Sequence, residues 1–207
     1  MTEYAQDTRR IGGAFTVDEN AQRLLHYRFA EQICAMTGAA WAPTVSNIKL
    51  KFALSEYAYH DSTHYYALGE RLPELRLVQG ADLDAPPGRR GSSKAEPPNE
   101  AFLKFVDALQ SQGDPLLRIV GLYRVFKTHL AVNYRYHAQA TDPVSDAPTV
   151  RILNHILLEE EEHLRWGQAI YEELANTAER RRDATTWQGE LESLLIGAGG
   201  VSGLDGC

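Results

Sequence analysis

Apolar residues recur along most of the chain at alternating spacings of three and four, the pattern of helices that bury one face. Thr16 with Glu19 three residues later matches a capping box, which predicts a first helix that starts there and reaches about Gly38. A second helix is predicted from about Asn47 to the early seventies. The apolar–polar alternation of strands is nearly absent, so the pattern predicts an all-α protein.

Residues 79–98 interrupt the helical pattern with a stretch rich in Pro, Gly, Ser and charge, which predicts a flexible crossover loop. Asp114, followed by Pro115, opens a third long helix that ends near Ala140. A fourth helix is predicted from Thr149 to about Arg181, and residues 184–207 form an extra C-terminal helix and tail. Two helical hairpins joined by one long crossover, over residues 16–181, favour a four-helix bundle of the ferritin-like kind.

The composition is typical of a single globular domain and does not indicate a reaction. The 207 residues predict a single domain over 1–207, and 43% hydrophobic with 24% charged residues is ordinary for a globular protein. A net charge of -7 disfavours a nucleic-acid partner. We expect no membrane partner, because no apolar run is long enough to span a bilayer and the start of the sequence has no apolar signal segment. Two cysteines, Cys34 and Cys207, fit a reducing cytoplasm.

Two histidine-bearing helices follow similar segments, "WAPTV" at 41–45 and "DAPTV" at 146–150, which suggests an approximate internal repeat. On each helix the core-facing line is apolar above and below, with one carboxylate and one histidine in the middle. The two lines are Leu50, Leu54, Tyr57, Asp61, His64, Leu68 and Leu72, and Leu153, Ile156, Glu160, His163, Gly167, Ile170 and Leu174.

A buried carboxylate needs a partner, because leaving it unpaired costs several kcal/mol. A carboxylate and an imidazole three residues apart on one helix can reach the same cation. Asp61 with His64 and Glu160 with His163 therefore predict a metal site of oxygen and nitrogen ligands, which suits iron or manganese. The alternative is a polar seam in which each acid satisfies its neighbouring histidine.

The segments "HDSTH" at 60–64 and "EEEEH" at 159–163 resemble the E-x-x-H ligand motifs of the ferritin-like, carboxylate-bridged di-iron proteins. Their surroundings, 51–72 and 146–167, are similar to a less-characterised group of that superfamily, and the resemblance covers about residues 16–181. It implies a site for two iron ions, with manganese as an alternative. His60 and Glu159 lie beside the predicted ligands, where they either orient the ligand histidines or are solvated neighbours.

The resemblance also implies a carboxylate ligand on the first helix and another on the third. Glu31 fits the first, with His26 as the competing ligand. The third helix has no Asp or Glu between Asp114 and Asp142, so His137 is the predicted substitute and His129 the alternative. The predicted metal ligands are thus Glu31, Asp61, His64, His137, Glu160 and His163. The missing acid and the short Asp61 also allow a single-metal or a degenerate site.

The resemblance implies a non-haem iron oxidoreductase or oxygenase that acts with dioxygen on a small organic substrate. Two alternatives stay open: an iron oxidation or storage protein, and a degenerate bundle with a binding or structural role. The segment "LESLLIG" near the end of the chain is predicted to cap the bundle or a homodimer.

Overall fold

A computed structural model describes residues 13–75 and 95–204. Helix α1 spans Val17–Trp41 and α2 spans Ile48–Arg71, and short 3₁₀ turns follow them at Ala42–Thr44 and Leu72–Leu75. The predicted capping box is present, since the Thr16 hydroxyl accepts from the Glu19 backbone while the Glu19 carboxylate accepts from the Thr16 backbone. The predicted crossover loop lies outside the described residues, except for positions 95–98.

The second half of the bundle contains more elements. Helix α3 spans Glu100–Ser111. The third bundle helix consists of α4 at Pro115–Ile119, a π-helical segment at Val120–Phe126 and α5 at Lys127–Ala140. The fourth bundle helix, α6, spans Ala147–Leu174, and α7 spans Ala178–Gly197.

Helix α1 packs along α2, α5 packs along α6, and the two hairpins meet through α2 against α6 and α1 against α5. Helix α7 packs on α3 and on the π-helical segment at one side of the bundle. The core-facing line of α2 is buried from Leu54 to Leu72, as its spacing predicts. The described residues contain no strand, and the predicted all-α bundle is confirmed.

The fourth bundle helix ends earlier than predicted. It stops at Leu174, not near Arg181, and α7 begins after Thr177, whose hydroxyl accepts from the Arg180 backbone as an N-cap. The break at Asn176 and Thr177 is short and lies between two helix-forming segments, so the sequence predicts one helix where the structure has two. Among the described residues no helix is long and apolar enough to cross a membrane.

The π-helical segment packs tightly against α6 in the middle of the bundle. A Cβ at Gly167 would overlap the side chain of Tyr123, so a glycine there lets the two helices approach. Each π turn contains an extra residue, which rotates the following helix about its axis. Lys127, the first residue of α5, directly follows the π-helical segment and is fully buried.

Candidate metal centre

The first helical hairpin places two carboxylates and a histidine in the core. Glu31 on α1 is fully buried, and Asp61 and His64 on α2 are each 1% exposed. The hydroxyl of Tyr134, from α5, donates to Glu31 Oε1 at 2.5 Å, and His64 Nδ1 lies 3.3 Å from Glu31 Oε2. These contacts hold the Glu31 carboxylate facing α2.

The second hairpin adds an acid, a histidine and a lysine, all with no exposed surface: Glu160, His163 and Lys127. Lys127 Nζ donates to Asp61 Oδ1 and to Glu160 Oε1, each at 2.6 Å, and lies 3.1 Å from His163 Nδ1. An ammonium has three N–H donors, and each therefore has an acceptor here. The lysine joins the acids of both helical hairpins.

His64 faces a carboxylate with each ring nitrogen, since its Nε2 donates to Glu159 Oε2 at 2.7 Å. Burial lowers the pKa of His64, but the charge and hydrogen bond of Glu31 outweigh that effect and raise the pKa to about 9. Its ring is therefore an imidazolium at neutral pH. Glu159 holds the outer nitrogen, which is the orienting contact predicted for it.

His163 is held in the opposite charge state. Burial, and then the positive charge of Lys127, lower its pKa to about 4, so the ring is neutral. Its Nδ1 can then accept from Lys127, while Nε2 lies 3.1 Å from Nδ1 of His60. His60 therefore orients His163 as Glu159 orients His64.

The two acids that share Lys127 differ in their proton affinity. Burial raises the pKa of Asp61 to about 8, although the lysine opposes this. Burial also acts to raise the pKa of Glu160, but the positive charge of Lys127 outweighs this effect and holds it at about 2. Glu160 is thus the anion that Lys127 balances most directly.

Aromatic side chains close the His163 side of the centre. The Tyr57 ring lies 4.2 Å from the His163 ring, between centroids, and Trp166 packs on Tyr57 and Tyr123 at 5.2 and 5.1 Å. Tyr57 is 6% and Tyr123 2% exposed, which makes this wall largely inaccessible to water.

Most of the predicted ligands lie together, but His137 does not. Its Nε2 bonds with Asn20 Oδ1 at 2.8 Å, at the end of α5 remote from Lys127. Ten residues of helix separate His137 from Lys127, which is about 15 Å along the axis. The side chains of the third bundle helix at the centre are Lys127 and Tyr134.

The alternative histidines also lie apart from the cluster. Nδ1 of His26 bonds with the backbone carbonyl of Ser202 beside the C-terminal segment. Neither His26 nor His129 belongs to the group of side chains close enough to hold one ion. Glu31 is therefore the first-helix acid that reaches the centre.

The sequence contains a signal for the buried position of Lys127. The three-and-four spacing typical of a core-facing line also runs through the third bundle helix, at Tyr123, Lys127, Leu130 and Tyr134. A lysine therefore occupies a core position in a mainly apolar segment. Lys127 is absent from the predicted ligands because these are all acids or histidines. Buried lysines are rare unless they are paired, and here the pairing depends on side chains from α2 and α6.

The donor set fits a cation. Glu31, Asp61, His64 and Glu160 each offer a ligand atom within 4.8 Å of the others, and all four residues are buried. Glu160 Oε2 is buried without a hydrogen-bond partner among the described residues. An orphaned carboxylate oxygen in a dry core is costly, and three carboxylates with one imidazole suit iron or manganese, with His64 releasing its extra proton when the ion binds.

No protein-family model and no curated protein matches this sequence. One solved structure that is similar is a dodecameric thioferritin, the bacterioferritin-related protein from Bacteroides fragilis. It aligns over 79% of this chain and 90% of its own length, with a TM-score of 0.58 and 18% identity. Together with the helix order and the buried centre, this similarity shows that the chain has the ferritin-like fold.

Proposed function

We propose that this protein binds iron in the cluster of Glu31, Asp61, His64 and Glu160 and is an oxidoreductase that acts with dioxygen on a small organic molecule. The observation that carries the proposal is the buried four-residue cluster with its orphaned Glu160 oxygen. Bound ferrous iron would supply a site at which dioxygen can be reduced. Manganese is the alternative ion.

The chain's own residues prepare that chemistry in three ways. Tyr134 and Glu159 hold Glu31 and His64 in place through direct hydrogen bonds. The wall of Tyr57, Tyr123 and Trp166 excludes water from the His163 side. The free thiol of Cys34 is buried, and its pKa is raised well above the usual value by burial, so the thiol stays neutral beside the cluster. A reduced thiol fits the predicted cytoplasmic setting.

A cavity of about 430 Å³ is the proposed substrate site, because His64 contributes to its wall. Its lining is mainly apolar, and Arg151 lies at its exposed side. A small apolar molecule with one anionic group would place its body against Ile152 and Ile156 and its charge at the guanidinium. The other lining residues are Thr63, Ala67 and His155.

The test combines metal analysis with oxygen consumption. Protein made in medium supplemented with iron and manganese is compared with the double variant Asp61→Ala, His64→Ala. The matched control, Ser55→Ala with Glu56→Ala, removes two polar side chains from exposed positions on the same helix, α2. We expect metal and substrate-dependent oxygen uptake in the wild type and the control, and neither in the cluster variant. Metal-free wild-type protein ends the proposal.

Two other functions have specific support. The similar structure is described as a dodecameric thioferritin, which favours iron oxidation or storage in a shell. Size-exclusion chromatography that shows a large assembly with many irons per chain would select it, whereas a monomer or homodimer favours the enzyme. Lys127 already compensates two buried acids, which favours a metal-free structural role. A melting temperature that does not respond to iron or a chelator would select that role.

A further inference from the structure

Lys127 contacts the atoms that a second metal ion would need. Its Nζ lies 2.6 Å from Asp61 Oδ1, 2.6 Å from Glu160 Oε1 and 3.1 Å from His163 Nδ1. Two carboxylates and an imidazole form a typical ligand set for a ferrous or manganous ion. Each of the three residues contributes one acceptor atom, and together these atoms surround the ammonium as they would surround a metal ion.

A dication cannot share this position with the lysine. The ammonium is fully buried, and a metal ion bound to the same three atoms would lie in contact with it. Like charges at that distance repel strongly in a dry interior. The ammonium is held in place by two short, charge-assisted hydrogen bonds, at 2.6 Å to Asp61 Oδ1 and at 2.6 Å to Glu160 Oε1.

The other side of the centre offers ligand atoms for one ion. Glu160 Oε1 is bonded to Lys127, whereas Glu160 Oε2 is buried with no partner among the described residues. Glu31 and His64 lie on the side that Lys127 does not contact. The atoms that Lys127 does not contact on Glu31, His64 and Glu160 can therefore act as ligands for a single ion.

We propose that the Lys127 ammonium takes the place of the second metal ion and limits this centre to one ion per chain. The inference rests on the proposed iron binding and deepens it. The lysine is a residue that sets the metal count: it supplies the second positive charge that the carboxylates of the two hairpins require. It also replaces the carboxylate ligand of the third bundle helix.

The experiment counts ions in the full-length chain. Metal-free protein is loaded with excess Fe²⁺ without oxygen, or with Mn²⁺, and then desalted for elemental analysis. Lys127→Glu removes the ammonium and adds a carboxylate, Lys127→Arg keeps the charge, and Lys104→Glu makes the same charge change at an exposed position. We expect two ions in Lys127→Glu and one in the wild type and both other variants. The Mn²⁺ EPR spectrum should change from that of an isolated ion to that of a spin-coupled pair.

The possible outcomes separate the two proposals. Two ions in the wild type, or one ion in both the wild type and folded Lys127→Glu, overturn the inference and leave iron binding standing. No ion in the wild type or in any variant removes both. No ion in the wild type but one in Lys127→Glu overturns the proposed function and supports the lysine as an occupying cation. If Lys127→Glu does not fold by circular dichroism, Lys127→Ala decides, and a count that stays at one overturns the inference.

Discussion

The two helical hairpins carry similar acid–histidine pairs, which suggests a symmetric centre, but the side chains that they contribute to it differ in charge. Helices α1 and α2 supply Glu31, Asp61 and a cationic His64, whereas the second hairpin supplies Glu160, a neutral His163 and Lys127. The charge state of each histidine depends on its neighbours, because carboxylates surround His64 whereas an ammonium faces His163. One lysine thus changes the chemistry of a motif that is otherwise repeated.

The largest expected effect comes from removing the charge that makes the hairpins differ. Lys127→Met leaves Asp61 and Glu160 buried without a cation, and we expect the free energy of unfolding of the metal-free protein to fall by about 3–5 kcal/mol. Urea denaturation measures it, with Lys104→Met as the exposed control. Adding Asp61→Asn should restore part of the loss. A change under about 1 kcal/mol would show that the ammonium does not stabilise the two acids.

The second prediction compares His64 and His163, the histidines of the two acid–histidine pairs. If one ion is bound on the Glu31 side, His64→Ala removes a ligand and should weaken iron binding by more than about 100-fold. His163→Ala removes only a contact of Lys127 and should weaken binding by about tenfold or less. Competition with a chelator measures both affinities. Equal losses would place the ion between the two histidines and contradict the asymmetry.

The third prediction uses His137, the neutral histidine that lies away from the centre. Burial, and then the charge of Arg23, lower its pKa to about 4, although Asp146 acts in the other direction. Because the folded-state pKa lies below the unfolded value, the stabilisation is complete above the usual pKa and is lost as the pH falls toward 4. About 2 kcal/mol should disappear between about pH 7 and pH 5.

His137→Gln is the matched variant, since it retains a donor for Asn20 and does not titrate. Urea midpoints of both proteins across that pH range give the measurement. The difference between them should shrink as the pH falls, because only the wild type must bury an ionisable ring. Parallel pH profiles would mean that His137 does not contribute to acid sensitivity.

The smallest effect is expected for the exposed counterpart of Lys127 on the same helix. Arg135 Nη2 contacts Glu161 Oε1 at 2.8 Å, with side chains 47% and 46% exposed. Water and salt screen such a pair, so Arg135→Ala should change the free energy of unfolding by about 0.5 kcal/mol or less. A loss comparable with that of Lys127→Met would show that burial is not what makes the lysine important.

The sequence by itself determined much of the scaffold. The spacing of apolar residues, the caps at Thr16 and Asp114 and the two acid–histidine pairs predicted the bundle and placed Asp61, His64, Glu160 and Glu31 on buried lines. Each of these features depends on neighbours within a few turns of one helix, which periodicity can report. The end of α6 was missed because only two weak helix formers, Asn176 and Thr177, separate two long helix-forming segments.

Only the tertiary structure decided which side chain of the third bundle helix reaches the centre. His137 was the histidine at the expected offset, yet it lies about 15 Å along the axis from the lysine that contacts the acids. The π-helical segment before Lys127 alters the rotation of α5, and no residue pattern in the sequence marks it. The pairing of Lys127 with Asp61 and Glu160 joins positions 66 and 33 residues apart. Such a contact exists only after three helices have packed, because a buried charge is stable only where its partners converge.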